Sequence, residues 1–117
     1  VGVHELSIAL SLLDLALEAA ARYPDARVVA VHAKVGQLSG VLVEALQSAY
    51  ELGRQGTPLE DAHLVVEVVP IRGYCSRCQG EREALSAQNV RCRDCTEPLA
   101  RILQGREIEL SALEIES

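Results

Sequence analysis

The sequence predicts an α+β fold in which a three-stranded sheet packs against two helices and a small cysteine-rich knuckle is inserted before the last strand. Three observations predict it: two stretches of helical apolar period, three stretches of strand character, and one segment with neither pattern that holds all four cysteines. A chain of 117 residues, 49% hydrophobic, suffices for one compact core with a small appendage. With no Phe, Trp or Met and three Tyr, that core must be built from aliphatic side chains.

The first element is a helix over about residues 5–22. Leu6, Leu10, Leu13, Leu17 and Ala20 form one apolar stripe and Ile8, Leu12, Leu15 and Ala19 a second, together predicting a wide buried face. Asp14, Glu18 and Arg22 fall on the polar side, and Pro24 ends the helix by disfavouring helical geometry in its predecessor. Arg27 to Val35 alternates, with Val29, Val31, Ala33 and Val35 on one face and Val28, Ala30, His32 and Lys34 on the other, the pattern of a half-buried strand. Gly36 breaks it. Ser39 is the candidate N-cap of a second helix carrying Val43, Leu46 and Tyr50, and Gly56 its stop. Thr57-Pro58-Leu59-Glu60 has the form of a capping box with proline at the first helical position, so a short helical turn is expected there. The β-branched run Leu64 to Ile71 is the second strand. After the cysteines, Ile108 and Leu110 alternate with Glu107 and Glu109, then Leu113 and Ile115 with Glu114 and Glu116. The change of phase near Ser111-Ala112 suggests a bulge in the third strand.

Residues 73–99 cannot bury a core of their own size, so a metal must organise them. The spacing Cys75-x2-Cys78-x13-Cys92-x2-Cys95 brings two thiolates from each of two tight turns onto one ion. Four sulfurs in a tetrahedron suit zinc and make a zinc-ribbon-like knuckle. Redox chemistry would call for a single CxxC, and an iron–sulfur centre is the other rival. A four-sulfur site is closed to substrate and water, so it serves folding and cannot be a catalytic metal.

The formal charge of −6 becomes about −8 with four thiolates and one zinc, which argues against a general polyanion binder. Residues 72–101 hold six Arg against four acidic residues, but the zinc–thiolate charge offsets that excess and Tyr74 is the sole aromatic residue, so a nucleic-acid-binding zinc ribbon is the weaker alternative, beside a structural adaptor. Leu6 to Ala21 is interrupted by Asp14 and Glu18 and lacks a preceding Lys or Arg, so neither a membrane span nor an export signal is expected. A cytoplasmic protein with reduced cysteines is the corresponding expectation. No phosphate loop, nucleophile–base pattern or paired-carboxylate motif stands out, and no catalytic activity is expected. His32 and Lys34 share a sheet face and His63 begins a strand, all read as solvated; the acidic last strand reads as edge protection.

His4-Glu5 opens the first helix. Imidazole, carboxylate and nearby backbone nitrogens are clustered there without tertiary folding, a set that suits square-planar nickel or copper, although a terminal His is ordinarily solvated and a first-turn Glu ordinarily compensates the helix dipole. Taken with His4-Glu5-Leu6-Ser7, Val35-Gly36-Gln37-Leu38-Ser39-Gly40-Val41, Gly56-Thr57 followed by Ala62, Pro70 before the first CxxC, and Gly105-Arg106-Glu107-Ile108, the chain resembles the HypA/HybF family of hydrogenase nickel incorporation proteins from Val3 onward.

The resemblance implies a nickel metallochaperone that delivers Ni2+ to the large subunit of nickel–iron hydrogenase with the GTPase partner HypB, and it leaves a homodimer open. It implies nickel at His4 with Glu5 nearby, in an α+β domain of residues 1–72 and 100–117, and structural Zn2+ on Cys75, Cys78, Cys92 and Cys95 in a zinc-binding domain of residues 73–99. Two departures bear on it. The family's histidine follows the initiator residue, whereas Val1-Gly2-Val3 precede it here, so Val3 is expected to mark a GTG start read as methionine. Gln37 stands where family members often carry Glu, removing one outer-sphere carboxylate.

Overall fold

The computed structural model describes residues 3–116. Its elements are α1 (Val3–Ala20), β1 (Arg27–Gly36), α2 (Val43–Gly53), β2 (His63–Val69), β3 (Arg72–Cys75), β4 (Gly80–Glu83), β5 (Arg101–Gln104) and β6 (Ile108–Glu116). They form two three-stranded sheets, ordered β2-β1-β6 and β4-β3-β5. The chain divides into two compact units: residues 1–34, 41–67 and 109–117, and residues 35–40 with 68–108. The α+β architecture with one principal three-stranded sheet and two helices is the one expected. The second sheet goes beyond that expectation, because its strands of four residues each are too short to show alternation.

In the first unit the two helices pack on each other over a core of Ala9, Leu12, Leu13, Ala16, Leu46, Ala49 and Tyr50. Small residues set the distance between them: a Cβ on Gly53 would meet Leu13 Cδ1 at 2.6 Å. The buried stripe of α1 differs from the expected one. It runs Glu5, Ala9, Leu12, Leu13, Ala16, while Leu6, Leu10 and Leu15 are exposed. Leucine content marks the helix as amphipathic, but alanines hold the contact, since close-packed helices leave room for short side chains. In β1, Val31 and Ala33 are fully buried, and Val28 and Ala30 on the other face are covered almost as well, so the strand is more enclosed than alternation alone suggests.

Helix α2 begins at Val43, not directly after Ser39, and its N-cap residue, Leu42, has no side-chain cap. The residues before it are held in a turn by Ser39 N–H to the Gly36 carbonyl at 3.0 Å, followed by Gly40 at φ +78°. After the helix, Thr57 Oγ1 accepts from Leu59 N–H at 3.1 Å and Glu60 Oε2 from Gly56 N–H at 2.9 Å, a reciprocal arrangement that caps successive turns and no regular helix. The Tyr50 hydroxyl and Arg54 Nη1 both donate to the Ala62 carbonyl at 2.8 Å, tying this loop to α2. Burial raises the Tyr50 phenol above its ordinary range.

In the second unit β3 is central, with β4 and β5 antiparallel to it. The register passes from Gly73↔Ile102 to Arg72↔Gln104, so Leu103 is bulged outward and exposed. Residues 35–40 are laced in by three bonds: Gly36 N–H to the Glu107 carbonyl at 2.7 Å, Gln37 N–H to the Val69 carbonyl at 3.0 Å, and Leu38 N–H to the Gly105 carbonyl at 2.7 Å. In β6 the least exposed residues are Leu110 and Leu113, an odd spacing that a regular period-two strand would put on opposite faces.

Candidate metal centres

The cysteine site is built from two similar turns. Cys75 closes β3, and the chain returns as β4 from Gly80, with the Cys78 N–H donating to Cys75 Sγ at 3.4 Å. Cys92 pairs with Ala84 in an isolated bridge, and its own turn is closed by Cys92 N–H to the Glu97 carbonyl at 2.7 Å and Thr96 N–H to the Cys92 carbonyl at 2.9 Å. The residue after each second cysteine is left-handed, Gln79 at φ 54° and Thr96 at φ 65°. Non-glycine residues, a β-branched one above all, adopt this conformation at a cost, and here both turns adopt it where the sulfurs must converge.

Cys75 Sγ lies 3.4 Å from Cys95 Sγ, Cys78 Sγ lies 3.8 Å from Cys92 Sγ, and all four fall within 4.8 Å of one another. Bonds of about 2.3 Å to one tetrahedral ion place sulfurs about 3.8 Å apart. The donor set therefore fits zinc in both geometry and softness. Cys75 and Cys92 are fully buried and Cys78 and Cys95 partly so, and four sulfurs are the full complement of a tetrahedral ion.

The thiols are electrostatically unlike. The Cys78 N–H aimed at its sulfur lowers Cys75 to about 7, while the shared hydrogen bond with Cys95, followed by burial, pushes Cys78 up to about 12. Cys95 receives a backbone hydrogen bond at Glu97 that lowers it, yet burial and the neighbouring Cys75 and Cys92 thiols leave it raised. Four thiolates this close repel one another, and a divalent cation is the natural counter-charge. Around the site, Arg72 pairs with Glu81 and Arg82 with Asp94, both at 2.9 Å, and Arg77 with Glu97 and Arg93 with Glu83, both at 3.8 Å. The Arg101 guanidinium lies over the Tyr74 ring at 5.2 Å. These partners take up much of the basic surface that a nucleic-acid interface would present.

His4 and Glu5 both lie in the first turn of α1 with opposite surroundings. The His4 side chain is exposed; that of Glu5 is 6% exposed, and its Oε2 accepts from Leu42 N–H at 3.4 Å. The expected start at Val3 concerns Val1 and Gly2, which lie outside the described residues. Gln37 is engaged within the second unit, where its Oε1 accepts from Ile71 N–H at 3.2 Å. His32, expected to be solvated, is half-buried with its Nε2 2.5 Å from Glu114 Oε1, and Arg27 pairs with Glu116, so β6 carboxylates serve cross-strand pairing as well as edge protection. Among the described residues, no helix is long and apolar enough to cross a membrane.

Residues 3–115 match the family described as hydrogenase/urease nickel incorporation, metallochaperone, hypA. A protein of Roseiflexus sp. (strain RS-1) named hydrogenase maturation factor HypA is 45% identical over 114 residues, covering 97% of this chain and 93% of its own. One of the same name from Chloroflexus aurantiacus is 40% identical, covering 96% and 98%. Among solved structures, the solution structure of a HypA protein superposes with a TM-score of 0.70 at 25% identity over 99% of this chain and 98% of that one. The nickel metallochaperone HypA of Helicobacter pylori gives 0.63 at 26% identity over 95% and 96%.

Proposed function

We propose, on the premise that the chain belongs to the HypA family of hydrogenase and urease nickel incorporation metallochaperones, that it captures Ni2+ at the first turn of α1 and delivers it to the large subunit of nickel–iron hydrogenase in the cytoplasm. The observation that carries this reading is the exposed imidazole of His4 in that turn. The first four N–H groups of an α-helix have no intrahelical acceptor, so the amide nitrogens beside His4 are not committed to the helix ladder. Imidazole and backbone nitrogens form a compact, strong-field set suited to square-planar Ni2+. An exposed turn also lets an acceptor replace donors one at a time, which favours transfer over storage.

The cysteine centre has a supporting role. Zinc, when bound, supplies a four-way cross-link; Cys75, Cys78, Cys92 and Cys95 hold it, and the two left-handed turns aim their sulfurs. Nothing in this pairing needs catalytic groups, so the GTP hydrolysis that drives delivery belongs to a HypB-type GTPase partner.

Nickel titration of the zinc-loaded protein, monitored by absorbance and calorimetry, tests the reading. Chains beginning at Val1 and at Val3 should differ, because only a free amine at Val3 can join His4 without amide deprotonation. His4→Ala should abolish tight binding in both. An affinity unchanged by His4→Ala would reject the nickel site as described, and metal analysis of the same samples should return one zinc per chain.

A further inference from the structure

We propose that Glu5 is a positioning residue whose carboxylate fastens the metal-bearing turn of α1 to the N-terminus of α2, and that it stays outside the nickel coordination sphere. The second half of this proposal rests on the nickel reading above; the first half does not.

Three observations meet at this side chain. Among the described residues, Glu5 is the buried charged one, 6% exposed, whereas its neighbour His4 is exposed. Leu42, the N-cap of α2, has no side-chain acceptor of its own, and its N–H is directed at Glu5 Oε2 at 3.4 Å. Glu5 also continues the α1 stripe of Ala9, Leu12 and Ala16, all buried, so its stem is enclosed by the helix–helix contact. One carboxylate thus serves two helix N-termini, that of α1 from within the first turn and that of α2 from across the interface. Each carries a partial positive charge that an anion offsets.

This arrangement restricts the metal. Adjacent residues on a helix point about 100° apart and do not face each other. A cation on the exposed His4 imidazole is therefore turned away from the enclosed Glu5 carboxylate. Ligation by Glu5 would require release of Leu42 and unwinding of the first turn, exposing a side chain now covered by α2. Glu5 instead fixes where the turn sits and offsets the positive helix ends next to which a divalent cation must bind. The donor set left to nickel is then nitrogen-rich, which disfavours the oxygen-seeking cations Mg2+ and Mn2+.

The test uses the full zinc-loaded chain with Glu5→Gln, which keeps an acceptor oxygen, and Glu5→Ala, which does not. Without nickel, the Leu42 amide should exchange with solvent roughly tenfold or more faster in Glu5→Ala than in wild type, with Glu5→Gln largely restoring protection. Equal exchange in wild type and Glu5→Ala would overturn the anchoring role. Should Glu5→Ala fail to fold, Glu5→Met, which keeps the stem and has no acceptor oxygen, takes its place, and Leu42 exchange equal to wild type in that variant would do the same. With Ni2+ added, the d–d absorption maximum should coincide in wild type and Glu5→Gln, and the Leu42 amide should stay protected. A displaced maximum in Glu5→Gln, or loss of Leu42 protection when wild type takes up nickel, would place the carboxylate on the metal. If His4→Ala leaves nickel binding unchanged, the nickel reading falls while the metal-free exchange result still decides the anchor.

Discussion

Gly36→Ala should be among the most damaging single-methyl additions to this chain. A Cβ at residue 36 would stand 2.0 Å from the Gly105 carbonyl oxygen, 2.2 Å from its carbon and 2.6 Å from Arg106 N, all backbone atoms that cannot swing aside. Ordinary contact begins at 3.4 Å, so the segments must part by about 1.4 Å. The two bonds that join them, Gly36 N–H to Glu107 and Leu38 N–H to Gly105, are 2.7 Å long, and that displacement stretches both to about 4 Å, past bonding range. Losing each costs about 1–3 kcal/mol, a total of roughly 2–6 kcal/mol from a stability of about 5–15 kcal/mol. Urea unfolding of the zinc-saturated protein, followed by circular dichroism, should show a midpoint lowered by about 2 M at a typical slope of 1–3 kcal/mol per M. Gly40→Ala is the control: at φ +78° with nothing within 4 Å, it incurs only the left-handed penalty of about 1–2 kcal/mol. A Gly36→Ala midpoint within about 0.3 M of wild type, or a smaller loss than Gly40→Ala, would refute the steric reasoning.

Two further outcomes follow from the second unit. Thiolate absorbance of the metal-free protein should rise first near pH 7, from Cys75, and last near pH 12, from Cys78; a single step for all four near the ordinary 9.0 would contradict the geometry. The two contribute oppositely to metal-free stability: the Cys75 contribution is complete above pH 9 and lost as pH falls through 7, while that of Cys78 is complete below pH 9 and lost as pH rises toward 12. Gln37→Ala should cost about 1–2 kcal/mol in thermal unfolding by leaving Ile71 N–H without its acceptor, whereas Gln37→Glu keeps an acceptor and should cost less; equal losses would show that the side-chain oxygen is irrelevant.

The elements with long periodic signals are legible in the sequence. Helix α1, strands β1 and β2, and the acidic last strand each carry enough repeats to be placed within a few residues, and the four cysteines announce their convergence by spacing. What escapes a sequence reading depends on partners distant in the chain. Ser39 has the residue type of an N-cap for α2, but it sits in the turn closed by its N–H on the Gly36 carbonyl, three residues ahead of the N-cap Leu42, and the acceptor facing Leu42 is a carboxylate 37 positions away. Nothing in its residue type marks Glu5 as buried, because glutamate ranks among exposed residues. Its spacing from Ala9, Leu12 and Ala16 is the one local clue that it belongs to the buried stripe. Gln37 likewise gains its partner, Ile71 N–H, only through the fold.

The aromatic residues, so few in this chain, acquire a use from where they fall. Tyr50 is wholly enclosed in the helical core of the first unit, Tyr74 sits on the central strand of the second beneath Arg101, and Tyr23 is 54% exposed. With no Trp and no Phe to mask them, the two packed rings are native chromophores, one per unit. Near-ultraviolet spectra of Tyr50→Phe and Tyr74→Phe proteins therefore separate the melting of the helical unit from that of the cysteine unit without any attached label.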